Sequence, residues 1–153
     1  SPLVEKVRLK AKQEFKDVVL ITVTKQPDLK KLQGEIASEV GLTLQGDNLW
    51  SRGDQLRTRL MHQNNRNLII LDDVWEALPD LDKLGIPSGS NHKHRCKVTF
   101  TTRFRSVCEA MGAQKTMEVG ILSVAEAWRL FKEKAGDSVD VPSVHGIAKE
   151  VAK

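Results

Sequence analysis

The stretch Leu68-Ile69-Ile70-Leu71-Asp72-Asp73-Val74-Trp75 decides the reading of this chain. An unbroken aliphatic run ends in two adjacent carboxylates. A run this short, with apolar residues on both alternating faces, suits a strand buried on both sides of a parallel sheet. Ionised acids cannot continue such a strand, so Asp72 and Asp73 are expected to emerge at its carboxyl end. Open α/β sheets bind their ligands at that edge. One carboxylate there can hold Mg²⁺ beside a nucleotide phosphate, and a second can orient or deprotonate a water. Taken alone, the run also fits a buried strand followed by an acidic turn.

On the amino-terminal side, Leu3, Val4, Val7 and Ala11 recur at helix spacing. The β-branched run from Asp17 to Thr24 reads as a second buried strand. Pro27 and Asp28 start a helix with Leu29, Leu32, Ile36 and Val40 on one face, and Gly41 is placed to terminate it. A polar stretch from Thr43 to Gly53 leads into a helix carrying Leu56, Leu60 and Met61. On the carboxyl side, the segment from Leu84 to Arg95 holds Gly85, Pro87 and Gly89 and reads as loop. Lys97–Thr102 is the next strand, ending at Arg103, and Val107, Cys108 and Met111 mark a short helix. Thr116–Leu122 is the last strand expected. Ser123 and Glu126 form a capping box opening a helix with Trp128, Phe131 and Ala135, which closes at Gly136. Val144, Ile147, Ala148 and Val151 make a further helical stripe up to Lys153. With a helix at each end, the sequence reads as a piece of a longer protein.

Strands alternating with helices predict an α/β fold, a parallel sheet with helices on both faces. Right-handed crossovers align the carboxyl ends of the strands along one edge, so Asp72, Asp73 and Arg103 converge there. Arg103 alone reads as a surface arginine. In company with two acids, its guanidinium becomes a phosphate ligand, and the three form half of a nucleotide site. The other half would be a glycine-rich phosphate cradle, yet no GxxxxGK[ST] occurs in the 153 residues. In P-loop proteins that cradle opens the first helix, which is where this chain starts. Ser1 then takes the Ser/Thr position that reaches Mg²⁺, and Pro2 suits a first helical turn.

Composition narrows the alternatives. The chain is 40% hydrophobic and 29% charged, as in a globular domain, and no apolar run is long enough to cross a bilayer. The net charge is +4, but the basic residues are dispersed; Lys30 with Lys31, and Arg57 with Arg59, read as solvated helix faces. With no tyrosine and four phenylalanines, no base-stacking platform is visible, so specific nucleic-acid recognition is not expected. Cys96 and Cys108 lack metal-ligand spacing and read as reduced core thiols. His92 and His94 sit in a polar loop, and metal binding is not expected there.

Several blocks in order resemble the NB-ARC domains of plant disease-resistance proteins of the coiled-coil, nucleotide-binding, leucine-rich-repeat type. Asp17–Thr24 with the segment from Gln26 to Ala37 looks like the block after the P-loop. Leu68–Trp75 is similar to the Walker B block, with the tryptophan typical of the coiled-coil subclass. Lys97–Arg103 resembles the block whose arginine faces the γ-phosphate, and Leu122–Gly136, containing Glu126–Phe131, resembles the next one.

The resemblance implies a P-loop NTPase-like fold without its first strand and P-loop over residues 1–121, and the start of a helical subdomain over 122–153. It also implies an ADP/ATP-binding switch of an immune receptor in defence signalling. ADP would hold the resting form, and ATP would permit assembly as a homo-oligomer. Asp72 and Ser1 would bind Mg²⁺ and the nucleotide, Arg103 the nucleotide, and Asp73 would orient water as the catalytic residue for slow hydrolysis. Implied partners are the receptor's coiled-coil and leucine-rich-repeat domains, and the implied location is cytoplasmic, with any membrane association supplied by other parts of the receptor. In that family's fold the strand before the P-loop separates Lys97–Thr102 from Thr116–Leu122. A piece lacking it is expected to expose two inner edges, to be poorly stable and to bind nucleotide weakly. A P-loop ATPase of another class and a non-catalytic interaction module are the competing readings.

Overall fold

The opening helical stripe is realised as α1, Pro2–Ala11, with Val4, Val7 and Ala11 buried. The computed structural model describes residues 2–62, 66–87, 96–113, 115–119, 129 and 144–149. After α1 come β1 (Asp17–Thr22), α2 (Leu29–Glu39), α3 (Leu49–Leu60) and β2 (Asn67–Val74). Then follow α4 (Leu81–Leu84), β3 (Cys96–Thr102), α5 (Arg105–Ala110), β4 (Lys115–Val119) and β5 (Val144–Lys149). The strands form one sheet in the order β1-β2-β3-β5-β4, and every pairing is parallel. This is the α/β arrangement expected of a P-loop NTPase-like fold.

Alternation along the strands builds a core on each face. Val19 and Ile21 of β1, Ile69 and Leu71 of β2, and Val98 and Phe100 of β3 pack with buried residues of α2, α3, α4 and α5. Val18, Leu68 and Ile70 point the other way and are buried as well, on the face that α1 covers through its packing on β1 and β2. Helices therefore lie on both faces. Asp28 caps α2 by accepting from the N–H groups of Lys30 and Lys31, and Gly41 leaves the helix with φ 73°.

The helical layer is tied by close backbone approach. A Cβ on Gly53 would sit 2.2 Å from the carbonyl oxygen of Lys83, and one on Gly85, at φ 94°, would sit 2.4 Å from that of Gly53. Buried Gln33 donates from Nε2 to the carbonyls of Leu49 and Leu84, both at 2.9 Å. One side chain of α2 thus fixes the start of α3 and the end of α4.

Four expectations are corrected. The helix carrying Leu56 and Leu60 begins at Leu49, capped by Asn48, so Gly53 lies inside it and not in the preceding loop. Its close contact with Gly85 supplies the reason. A short helix, Leu81–Leu84, precedes the expected loop, capped by Asp80 and left through Gly85. The acids do not end the Leu68–Trp75 strand, which runs through Asp72 and Asp73 to Val74.

The largest correction concerns Val144–Lys149, which is a strand and not part of a helix. It pairs with β3 from Val98↔Val144 to Thr102↔Ala148, and with β4 from Lys115↔His145 to Val119↔Lys149. The two inner edges expected to be open are thus partnered. Backbone groups on facing strands demand hydrogen bonds, and that demand outweighs a helical side-chain spacing. The capping box at Ser123, the helix with Trp128 and Phe131, and residues 120–122 of the expected last strand lie outside the described residues, as does Ser1.

Candidate nucleotide-edge site

Asp72 and Asp73 are brought to the sheet's carboxyl edge by an irregularity in β2. Leu71 pairs with Phe100 and Val74 with Thr102, so one extra residue on β2 is accommodated between them. Asp73 takes up the irregularity with φ 65°, the one non-glycine residue at positive φ among those described. Aspartate tolerates this left-handed conformation better than most residues. The extra residue gives the two neighbouring acids different surroundings.

Asp72 is buried, 3% exposed, while the Asp73 side chain is 33% exposed. Both are tied to one atom of β3. The Thr101 hydroxyl donates to Asp72 Oδ1 at 2.5 Å and accepts from the Asp73 backbone N–H at 2.8 Å. The Asp72 carbonyl accepts from the Val23 N–H at 2.8 Å, which links the edge to the end of β1. Thr102 repeats the pattern one residue later, donating from Oγ1 to the Val74 carbonyl at 2.6 Å and accepting from the Phe104 N–H at 3.1 Å. Two consecutive threonines therefore lock the ends of β2 and β3 together.

Arg103 follows directly. Its Nε lies 3.9 Å from Asp73 Oδ1, and its side chain is 47% exposed. An ion pair that long and that exposed contributes little to stability, which leaves the guanidinium available to a ligand. Arg103 also lies over Trp75, with Cζ 5.6 Å from the ring centroid, and Lys25 Nζ lies 4.4 Å from the same centroid. Phe104 meets Trp75 at 5.7 Å and is itself 41% exposed.

The structure thus brings together Asp72, Asp73 and Arg103, three of the four residues singled out in the sequence. Sequence reasoning missed Thr101, whose signal was its position in a strand register beside the acids, and it missed the cationic and aromatic cluster around Trp75. The described clefts lie elsewhere. A cleft of about 720 Å³ between β1 and α2 is lined by Thr22, Lys31, Gly34, Ser38 and Arg52, among others, and by none of the three edge residues. That groove also carries Glu35, Glu39 and Arg52, but the Arg52 guanidinium donates to the carbonyls of Gly46 and Lys30, whereas Arg103 at the edge has only a long, exposed ion pair and a ring contact, so chemistry favours the acid-bearing edge.

Cys96 and Cys108 are buried and form no disulfide, as expected of core thiols. Burial pushes the Cys96 thiol from 9.0 up to about 12. Among the described residues no helix is long and apolar enough to cross a membrane.

Comparison with known proteins identifies the family. The family model described as "NB-ARC domain" matches residues 3–140. The chain is 39% identical over 145 residues to "Probable disease resistance protein At1g61310" of Arabidopsis thaliana, covering 91% of this chain and 15% of that protein. It is 39% identical over 145 residues to "Disease resistance protein UNI" of the same plant, covering 91% of this chain and 16% of the relative. To the Arabidopsis "Disease resistance protein RPS5" it is 34% identical over 150 residues, covering 94% and 16%. The chain therefore spans about one-sixth of the length of these relatives. With the match spanning most of its length, and with a parallel sheet carrying the acids at its carboxyl edge, the chain belongs to the NB-ARC domain family.

Proposed function

We propose that this chain is the nucleotide-binding segment of a plant immune receptor and works as an ADP/ATP-dependent switch in defence signalling. The observation that carries the reading is the convergence of Asp72, Asp73 and Arg103 on one sheet edge, with both acids tied to the Thr101 hydroxyl. The disease-resistance names of its relatives support the same assignment.

The residues present fit Mg²⁺ held in the usual manner of nucleotide sites. That ion takes one or two carboxylates, with phosphate oxygens and waters completing its shell. Buried Asp72 beside a threonine hydroxyl suits such a donor set. Among the described residues no group of three His, Cys, Asp or Glu forms an all-protein cage. Asp72 would hold the ion, with Ser1 as the second protein ligand. When bound, Mg²⁺ neutralises phosphate charge. Asp73, more exposed and carried on a left-handed backbone, orients water for slow hydrolysis that times the switch. Arg103 gains a charge-assisted bond only when a terminal phosphate is present, and so separates ATP from ADP.

The implied partners are the coiled-coil and leucine-rich-repeat domains of the receptor and, on activation, further copies of it, in the cytoplasm. No GxxxxGK[ST] cradle occurs in the 153 residues, so this chain alone should bind nucleotide weakly. The substitutions are therefore best read in a receptor chain that includes such a loop. Asp72→Ala should weaken binding of Mg-ADP and Mg-ATP alike, Asp73→Ala should slow hydrolysis more than binding, and Arg103→Ala should lower affinity for Mg-ATP selectively. Equal and small effects of all three would overturn the reading and favour a non-catalytic interaction module.

A further inference from the structure

The exposed pair Arg103–Asp73 does not by itself explain why the arginine stands where it does. At 3.9 Å, between side chains 47% and 33% exposed, one ion pair leaves a long side chain free to wander. A second contact restrains it: the guanidinium carbon lies 5.6 Å from the centre of the Trp75 ring. Trp75 is in turn held. Its backbone follows Val74, whose carbonyl accepts from Thr102, and its ring meets Phe104 at 5.7 Å with the planes inclined by 55°. Arg103 therefore has two points of contact, a carboxylate and a π face, both anchored at the locked ends of β2 and β3.

We propose that Trp75 is the positioning residue for Arg103. Its indole and the Asp73 carboxylate together park the guanidinium at the sheet edge, ready to turn toward a terminal phosphate. The inference rests on the nucleotide reading above for its functional consequence, while the parking itself does not. A planar guanidinium stacks on an aromatic face without spending its N–H donors. It can therefore exchange Asp73 for a phosphate oxygen and keep the ring as its pivot. The exchange releases Asp73 from its cation at the moment a terminal phosphate arrives, which couples recognition of that phosphate to freeing the water-orienting acid. Lys25, at 4.4 Å from the same ring centre, adds a second cation to it. That cation repels Arg103, which favours departure once a phosphate offers a better partner.

Two readouts separate the parking from its purpose, the first on the 153-residue chain and the second on a receptor chain that includes a glycine-rich phosphate loop. The first is the rate at which phenylglyoxal modifies Arg103, mapped by mass spectrometry, with exposed Arg105 as the internal control. Trp75→Leu should raise the Arg103 rate several-fold and leave Arg105 unchanged, while Trp75→Phe, which keeps a π face, should stay within about twofold of wild type. A common rise at both arginines signals loss of fold in the leucine variant, and the phenylalanine variant then decides. An Arg103 rate unchanged by Trp75→Leu, or raised as much by Trp75→Phe, overturns the proposal. The second readout is the ratio of affinities for Mg-ATPγS and Mg-ADP. Trp75→Leu should lower that ratio several-fold in the wild-type background and leave it unchanged in Arg103→Ala. If Arg103→Ala leaves the ratio untouched, the nucleotide reading of Arg103 fails, and the modification rates still judge whether Trp75 positions it.

Discussion

The two halves of the sheet stand in opposite relation to their own sequences. In β1, β2 and β3, aliphatic and β-branched residues lie where strands form, and local preference agrees with the pairing. β5 comes from a segment with apolar residues at helical spacing, yet it lies between β3 and β4 and pairs with both. Two facing strand edges left open would carry rows of unpartnered backbone groups, a demand that acts through the whole fold and not through the neighbouring residues. β1, β2 and β3 are thus specified locally and β5 by its surroundings. Agreement between levels gives a deep and unique minimum, whereas conflict between them gives a shallower one.

The sharpest way to test the locally specified half is to strike where its helices touch. Gly53→Ala would set a methyl group 2.2 Å from the Lys83 carbonyl oxygen, a backbone atom that cannot simply rotate away. We expect a loss of about 3 kcal/mol, read from the denaturant midpoint. A loss below about 1 kcal/mol would mean that α3 and α4 adjust freely, and that this half is less tightly specified than its sequence indicates.

β5 itself comes next. Ile147→Pro removes one ladder N–H from a strand paired on both sides, at an expected cost of about 1–3 kcal/mol. Amide exchange in β4 and β5 should accelerate while the amides of β1, β2 and β3 keep their protection. Equal loss of protection across all the strands would erase the distinction between the halves.

A third substitution probes the seam that carries the site. Thr101→Val deletes the hydroxyl shared by Asp72 and the Asp73 N–H, and should cost about 2 kcal/mol, with Thr101→Ser close to wild type. A valine variant as stable as the serine variant would show that packing alone, and not the hydroxyl, holds the edge.

The start of β3 offers a measurement against pH. The Cys96 thiol titrates at about 12 in the folded chain against 9.0 ordinarily, because burial disfavours the thiolate. Its contribution is fully present below pH 9 and is lost as pH rises toward 12, since the unfolded chain releases the proton first. Stability should fall by about 1 kcal/mol between pH 9 and 10 from this group, and Cys96→Ala should remove that part of the slope. An unchanged slope would place the alkaline sensitivity in other groups.

The smallest effect is expected at Asp73. Asp73→Gly relieves the left-handed backbone at φ 65° and loses chain entropy in return, for a net gain of about 0.5 kcal/mol in midpoint stability. A loss above about 1 kcal/mol would assign Asp73 to holding the fold, through Arg103, instead of to chemistry.

These contrasts show what a sequence reader can see. The run Leu68–Leu71 announces β2 because burial on both faces leaves a purely local signature, and the right-handed path of the chain then places Asp72, Asp73 and Arg103 on one edge. The residue that ties the acids was hidden, because Thr101 acts through a register between strands nearly thirty residues apart. Gly53 read as a loop breaker because the neighbour that requires it, Gly85, is distant in sequence. β5 was misread for the same reason on a larger scale, since its partners are β3 and β4 and not its own flanks.

The Thr101 hydroxyl has a mechanical consequence. A single oxygen receives one acid's backbone and grips the other's side chain, so any sliding of β3 past β2 moves a common pivot under both carboxylates. Neither acid can be displaced in that way alone. A push applied anywhere along β3, including through the strand that fills the slot beside it, would arrive at the edge as one coordinated displacement, and the stiffness of that linkage sets how much of the push survives the journey.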